Sequence, residues 1–176
     1  MTKRLPTRLH HNAYVVKDLA QTRKFYEDVL GLPLVATWCE ADELFGSVRT
    51  YCHCFFELAD KSALAFFQFA NASDQAEFGP TLAPSPFRHI ALHVDPATLA
   101  EIEGRVKEAK IEGSYVLEHG YCRSFYVTDP DGLIVELTCD APEAVSAEAV
   151  DFKRKTAHAE LARWLAGDHT SNNTYR

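Results

Sequence analysis

The chain reads as an α+β protein built twice over: two βαβββ modules followed by a helical extension. Three observations carry that reading. His11-Asn12-Ala13-Tyr14-Val15-Val16 and His89-Ile90-Ala91-Leu92-His93-Val94 share His-x-Ala-x-x-Val. Tyr51-Cys52-His53-Cys54-Phe55-Phe56 and Tyr121-Cys122-Arg123-Ser124-Phe125-Tyr126 share Tyr-Cys-x-x-Phe followed by an aromatic residue. The two motifs come in the same order in both halves, and internal self-similarity is the mark of a duplicated unit.

Each element has a local cause. Residues 9–17 are rich in β-branched and aromatic side chains and read as a strand. Asp18 offers an N-cap, and Leu19, Phe25, Tyr26, Val29 and Leu30 recur at helical spacing. Gly31 stands where a left-handed C-cap belongs, and Pro33 follows as a stop. Strand-like runs come next near 34–39, 48–58 and 63–69. Pro80, Pro84 and Pro86 mark 71–87 as a linker. The second half repeats the order. A strand covers about 88–94, and Asp95-Pro96 supplies N-cap and N1. A helix runs to about Lys110 with Leu99, Ile102 and Val106 on one face. Strands follow near 114–118, 121–127 and 133–138, the last two joined by the Asp129-Pro130-Asp131-Gly132 turn. Module one is thus about 8–70 and module two about 87–140, inside a domain of 1–141. Residues 142–176 lie outside the repeat. Leu161, Trp164 and Leu165 share one side of a helix there, expected to dock on the body or on a second subunit. The polar stretch 167–176 is expected to be loose.

Composition narrows the function. A chain of 176 residues that is 47% hydrophobic can bury a core without disulfides. A formal charge of −7 opposes a nucleic-acid partner, because phosphate binding needs a basic surface. No apolar run follows the first residues, so no signal peptide is expected. No window is long and apolar enough to span a bilayer. The five cysteines are odd in number and lack C-x-x-C spacing, which fits reduced thiols in the cytoplasm.

The chemistry-bearing residues follow from the repeat. His11 and His89 open equivalent strands, so the duplication sets them on equivalent faces. Glu136 lies in the last strand, and a charged carboxylate in an apolar strand is costly unless it meets a cation. The bland readings are a hydrogen-bonded rim histidine and an exposed glutamate. Together the three form a 2-His-1-carboxylate set with open coordination positions, which suits non-haem Fe(II). His93 shares a face with His89 but lies roughly 13 Å along the strand. His10 is expected to point away from His11, and His53 makes a poor metal cluster with Cys52 and Cys54.

These residues resemble a known family. His11-Asn12-Ala13-Tyr14-Val15-Val16-Lys17-Asp18-Leu19, Phe25-Tyr26-Glu27-Asp28-Val29-Leu30-Gly31-Leu32, Arg88-His89-Ile90-Ala91-Leu92 and Val127-Thr128-Asp129-Pro130-Asp131-Gly132-Leu133-Ile134-Val135-Glu136-Leu137 look like the vicinal oxygen chelate superfamily. That superfamily includes glyoxalase I, extradiol ring-cleaving dioxygenases, fosfomycin-resistance enzymes and bleomycin-binding proteins. The resemblance covers about residues 8–140 and implies that the two modules curve into a cupped mixed sheet with a divalent metal inside it. Glyoxalase-type sites add a fourth donor from the fourth strand of the first module. Sliding the Tyr-Cys repeat without a gap sets Phe66 opposite Glu136, with Gln68 as the candidate fourth ligand.

One signature points to a branch. His119-Gly120-Tyr121-Cys122-Arg123-Ser124-Phe125-Tyr126-Val127-Thr128-Asp129-Pro130-Asp131-Gly132, ending at Glu136, resembles the extradiol dioxygenase pattern and departs only at Leu117. The resemblance implies His119 as acid/base and Tyr126 as hydrogen-bond partner of a substrate oxygen. An unbroken strand sends them to opposite faces, so Gly120 has to bend the chain. The expected activity is Fe(II)-dependent cleavage of a catechol-like diol with O2, Mn, Zn or Ni being the other metals considered. The alternatives are a glyoxalase-I-like lyase or isomerase and a non-catalytic binding or resistance protein. A homodimer is expected.

Overall fold

The computed structural model describes residues 4–80 and 85–176. Pro84, one of the prolines of the expected linker, lies outside the described residues. β1 (His11–Val15) leads to Asp18, whose Oδ1 accepts from Ala20 N at 2.8 Å and Gln21 N at 3.2 Å. That cap starts α1 (Leu19–Arg23), which continues through Lys24–Val29 in wider π-type turns. Gly31, at φ +83°, ends it as expected. β2 (Leu34–Leu44) and β3 (Ser47–Glu57) form a hairpin closed by Phe45 and Gly46, both at positive φ. β2 outruns the expected 34–39 because its far end, with Glu40, Asp42 and Glu43, is exposed and carries no apolar alternation. β4 (Ala63–Phe69) completes module one.

The expected linker contains a short helix, α2 (Ala72–Phe78), capped by Asn71. Its Asp74 and Glu77 pair with Arg49 of β3, and Phe78 packs against Phe69, so ion pairs and one aromatic contact anchor it. Module two follows as β5 (His89–His93), α3 (Pro96–Glu108), β6 (Tyr115–Glu118), β7 (Cys122–Thr128) and β8 (Ile134–Asp140). A 3-10 turn (Pro142–Val145) precedes α4 (Ala147–Leu165).

Each module forms a mixed four-stranded sheet, ordered β1-β4-β3-β2 and β5-β8-β7-β6. The first and last strands of each module run parallel and the other pairs antiparallel. One apolar core joins the helical faces of both sheets. Phe25, Tyr26, Phe56, Leu64 and Phe66 belong to it together with Leu99, Ile102, Val127, Val135 and Leu137. Polar pins add to that contact. Tyr26 Oη donates to Asp129 Oδ2 at 3.0 Å, and Arg105 Nε donates to the Val29 carbonyl at 2.7 Å. Because strand side chains alternate, the second face of each sheet points away from this core.

α4 does not bury its apolar side in the body of its own chain. None of its residues is buried, and Phe152, Leu161, Trp164 and Leu165 are exposed, Trp164 meeting only the tail through the ring of His169 at 4.2 Å between centroids. The polar tail is anchored rather than loose. Asn173 Nδ2 donates to the His119 carbonyl at 3.0 Å, and Arg176 Nη2 donates to the Glu118 carbonyl at 2.6 Å.

Candidate metal centre

The outward face of module two gathers the expected polar residues. In the register, Ala91 lies beside Glu136, Glu136 faces Tyr126, and Thr138 faces Ser124. His89 Nε2 reaches Glu136 Oε2 at 2.9 Å. His89 Nδ1 lies 3.0 Å from the Pro86 carbonyl, which only accepts, so Nδ1 carries a proton. A neutral His89 then aims the Nε2 lone pair at a carboxylate oxygen. Two acceptors at that distance need a proton on His89 or a cation between them. Ser124 Oγ donates to the other oxygen, Glu136 Oε1, at 2.5 Å and fixes the carboxylate. Glu136 and Ser124 are buried, while His89 is open to solvent. A buried, oriented carboxylate beside an imidazole oriented through its second nitrogen fits a divalent cation.

His119 and Tyr126 meet. His119 Nε2 lies 3.1 Å from Tyr126 Oη. Gly120, at φ +81°, supplies the bend. A Cβ there would stand 2.4 Å from the Tyr175 carbonyl oxygen, so the tail also requires glycine. Arg176 Nη2 lies 3.4 Å from His119 Nδ1. A guanidinium only donates, so Nδ1 accepts and Nε2–H donates to Tyr126 Oη. Burial, with the Glu136 carboxylate close by, pushes Tyr126 up to about 12. Tyr126 therefore stays a neutral phenol. Tyr115 stacks on it, ring centroids 4.8 Å apart.

His11 stands elsewhere. It opens β1 on the outward face of module one, half-buried, its Nδ1 2.7 Å from His10 Nδ1. The expectation that His10 points away fails because His10 precedes the strand. His53 and Phe55 flank His11 on that face, and His53 stacks on Phe67 at 3.5 Å between centroids. Burial, with His11 nearby, pushes His53 down to about 4. Within one chain the structure thus brings His89 and Glu136 together without His11. Among the described residues no three His, Cys, Asp or Glu side chains converge on one point.

The register corrects the fourth-ligand reading. His11 pairs with Ala63 as His89 pairs with Ile134, so Ala65 is the counterpart of Glu136, not Phe66. The Tyr-Cys match is one residue out of structural register: Phe55 faces Ala65 as Tyr126 faces Glu136. A one-residue slip moves every side chain to the other face. Gln68 accordingly lies on the helical side, where its Oε1 accepts from Leu19 N at 2.9 Å. It caps a helix and is no metal donor. His93 pairs loosely with Asp140 at 3.7 Å. Ser124, Tyr115 and Arg176 were missed. Ser124 was findable, since it stands two residues before Tyr126 and shares its face.

The model of the glyoxalase/bleomycin resistance protein/dioxygenase superfamily matches residues 8–137. The chain belongs to that superfamily. Among solved structures, a fosfomycin resistance protein from Listeria monocytogenes, complexed with Mn(II) and 1S,2S-dihydroxypropylphosphonic acid, is 22% identical. The match covers 79% of this chain and 97% of that one, with a TM-score of 0.56. Lactoylglutathione lyase from Agrobacterium tumefaciens is 24% identical over 77% of this chain and 96% of its own, at 0.51. Glyoxalase I from Leishmania major is 19% identical over 87% and 99%, at 0.60. The comparison with curated proteins gives no match. At these identities the structures speak for the fold. No helix among the described residues is long and apolar enough to cross a membrane.

Proposed function

We propose that this protein is a divalent-metal-dependent enzyme that acts, without O2, on a small molecule carrying two adjacent oxygen donors. The observation that carries the reading is the His89–Glu136 pair, with Ala65 at the matching place in module one. His89 and Glu136 would hold the cation, and His11 of a second copy would complete the set. Both donor-bearing faces point away from the core of their own chain, and among the described residues the apolar side of α4 stays exposed, with Trp164 touching only His169 of the tail. A homodimer pairing module one of one copy with module two of the other answers both. Ala65 offers no fourth donor, so three protein donors leave room for two substrate oxygens. A bound divalent ion would supply Lewis-acid polarisation of those oxygens.

The chain's own residues then have separate tasks. Ser124 and the Pro86 carbonyl hold the two donors in place. Tyr126 presents its phenolic proton to a substrate oxygen, and His119 replaces or removes a proton at that phenol. Arg176 sets the His119 tautomer. The likeness to a fosfomycin resistance protein with Mn(II) and a vicinal diol supports this class of substrate.

The His119–Tyr126 contact favours a second reading, extradiol cleavage of a catechol by an Fe(II) form. One assay separates them. Mn(II)-loaded protein is offered an epoxyphosphonate and a hemithioacetal under nitrogen, and Fe(II)-loaded protein is offered catechols with O2 uptake recorded. Turnover under nitrogen supports the first reading and oxygen uptake the second. Failure to bind any divalent metal contradicts both.

A further inference from the structure

The helical-side face of β3 carries a row that the metal centre does not use. Cys52 and Cys54 point the same way, and Cys39 of β2 stands directly opposite Cys52 in the register. Cys39 Sγ lies 3.8 Å from Cys52 Sγ, and Cys52 Sγ lies 3.9 Å from Cys54 Sγ. Thr37 Oγ1, 3.6 Å from Cys54 Sγ, closes the inner end. The ladder runs from solvent to core: Cys39 is exposed, Cys52 half-buried and Cys54 buried.

We propose that Cys39 and Cys52 form a thiol-oxidation site that closes to a cross-strand disulfide when a small-molecule disulfide reaches it. Directly opposed residues of an antiparallel pair have Cα atoms about 4.5–5.5 Å apart. Disulfides take about 4.4–6.8 Å, so the sulfurs approach by side-chain rotation with the backbone in place. Cys52 and Cys54 are a different case. Two residues along one strand are roughly 6.7 Å apart with parallel Cβ directions, at the edge of what a disulfide spans. Cys54 stays a thiol.

The exchange runs in two steps. The Cys39 thiolate attacks one sulfur of oxidised glutathione, forming a mixed disulfide and releasing one glutathione thiolate. The Cys52 sulfur then displaces the second glutathione from Cys39, losing its proton to solvent. Two protein thiols are oxidised, and one molecule of oxidised glutathione is reduced to two thiols. Burial pushes Cys52 up to about 12, so the exposed Cys39 takes the reagent first and the closing step quickens with pH. His53, between Cys52 and Cys54, points to the opposite face, so the bridge staples the strand that carries the aromatic wall beside His11.

The test is oxidation of the folded, full-length protein with oxidised glutathione, then alkylation under denaturing conditions and peptide mapping. Free thiols are expected to fall from five to three, with one peptide linking Cys39 to Cys52. Cys54→Ser keeps the link. Cys39→Ser, an exposed substitution that the fold tolerates, loses it, and Cys52→Ser stops at a glutathione adduct on Cys39. A wild-type protein that ends as an unbridged adduct, bridges through Cys54, or takes up no reagent overturns the proposal. None of these readouts depends on metal or turnover.

Discussion

The outward faces of the two modules share one lattice and differ in almost every occupant. Where module two has His89, Glu136, Tyr126, Ser124 and Thr138, module one has His11, Ala65, Phe55, His53 and Phe67 at the matching places. Only the strand-opening histidine is common to both. Module two holds a carboxylate fixed by a hydroxyl and faced by an imidazole, whereas module one holds an aromatic wall. The duplication thus preserved the register that keeps the core side apolar and released the other face. Burial constrains one side of a strand, and chemistry has the other to itself.

The comparison breaks most sharply at the metal donors. His89→Ala should abolish binding of a divalent ion, read by elemental analysis, while the same change at His53 should leave binding intact. Equal loss in both variants contradicts the division of labour between the faces. A smaller effect is expected at the proton-moving pair. His119→Ala should retain the metal and lose about 10²–10⁴-fold in kcat on the true substrate. Unchanged turnover removes its assigned role. Ser124→Ala leaves Glu136 Oε1 without its donor and should weaken metal affinity by about 10–100-fold, measured by competition with a chelator.

The smallest effect belongs to module one. His53 is pushed down to about 4 in the fold against 6.5 unfolded, by burial first and by His11 second. As pH falls through that window the unfolded chain gains a proton that the folded chain refuses. The contribution is complete above pH 6.5 and is lost on the way to about pH 4. His53→Phe should flatten that part of the stability curve in denaturant titrations. An unchanged slope shows that the wall carries no such load.

Much of this was legible in the amino-acid order. Asp18, Gly31 and Asp95-Pro96 mark their helix ends by local chemistry, and the His-x-Ala-x-x-Val pair marks equivalent strands. The bend at Gly120 was also readable, because His119 and Tyr126 otherwise take opposite faces. The faces of β4 were not. The Tyr-Cys match looked like a register marker but sits one residue off the ladder, which sent Gln68 to the wrong side. Sequence identity at a distance does not encode which hydrogen-bond ladder a strand joins. Nor did spacing show that His11 lies apart from its expected partners, since that depends on how the two modules pack through their helices. The tail's hold on His119 was hidden for another reason: its contacts run through backbone carbonyls, which carry no residue signature.

The central claim, a cation shared between copies, has a direct test. Chains carrying His11→Ala are mixed with chains carrying His89→Ala, refolded together, and the hybrid dimer is isolated and titrated with Mn(II). If module one of one copy completes the centre of the other, the hybrid keeps one intact centre and binds one ion per dimer, although neither parent binds any. A hybrid that binds none, while the wild-type protein binds Mn(II), contradicts the shared centre.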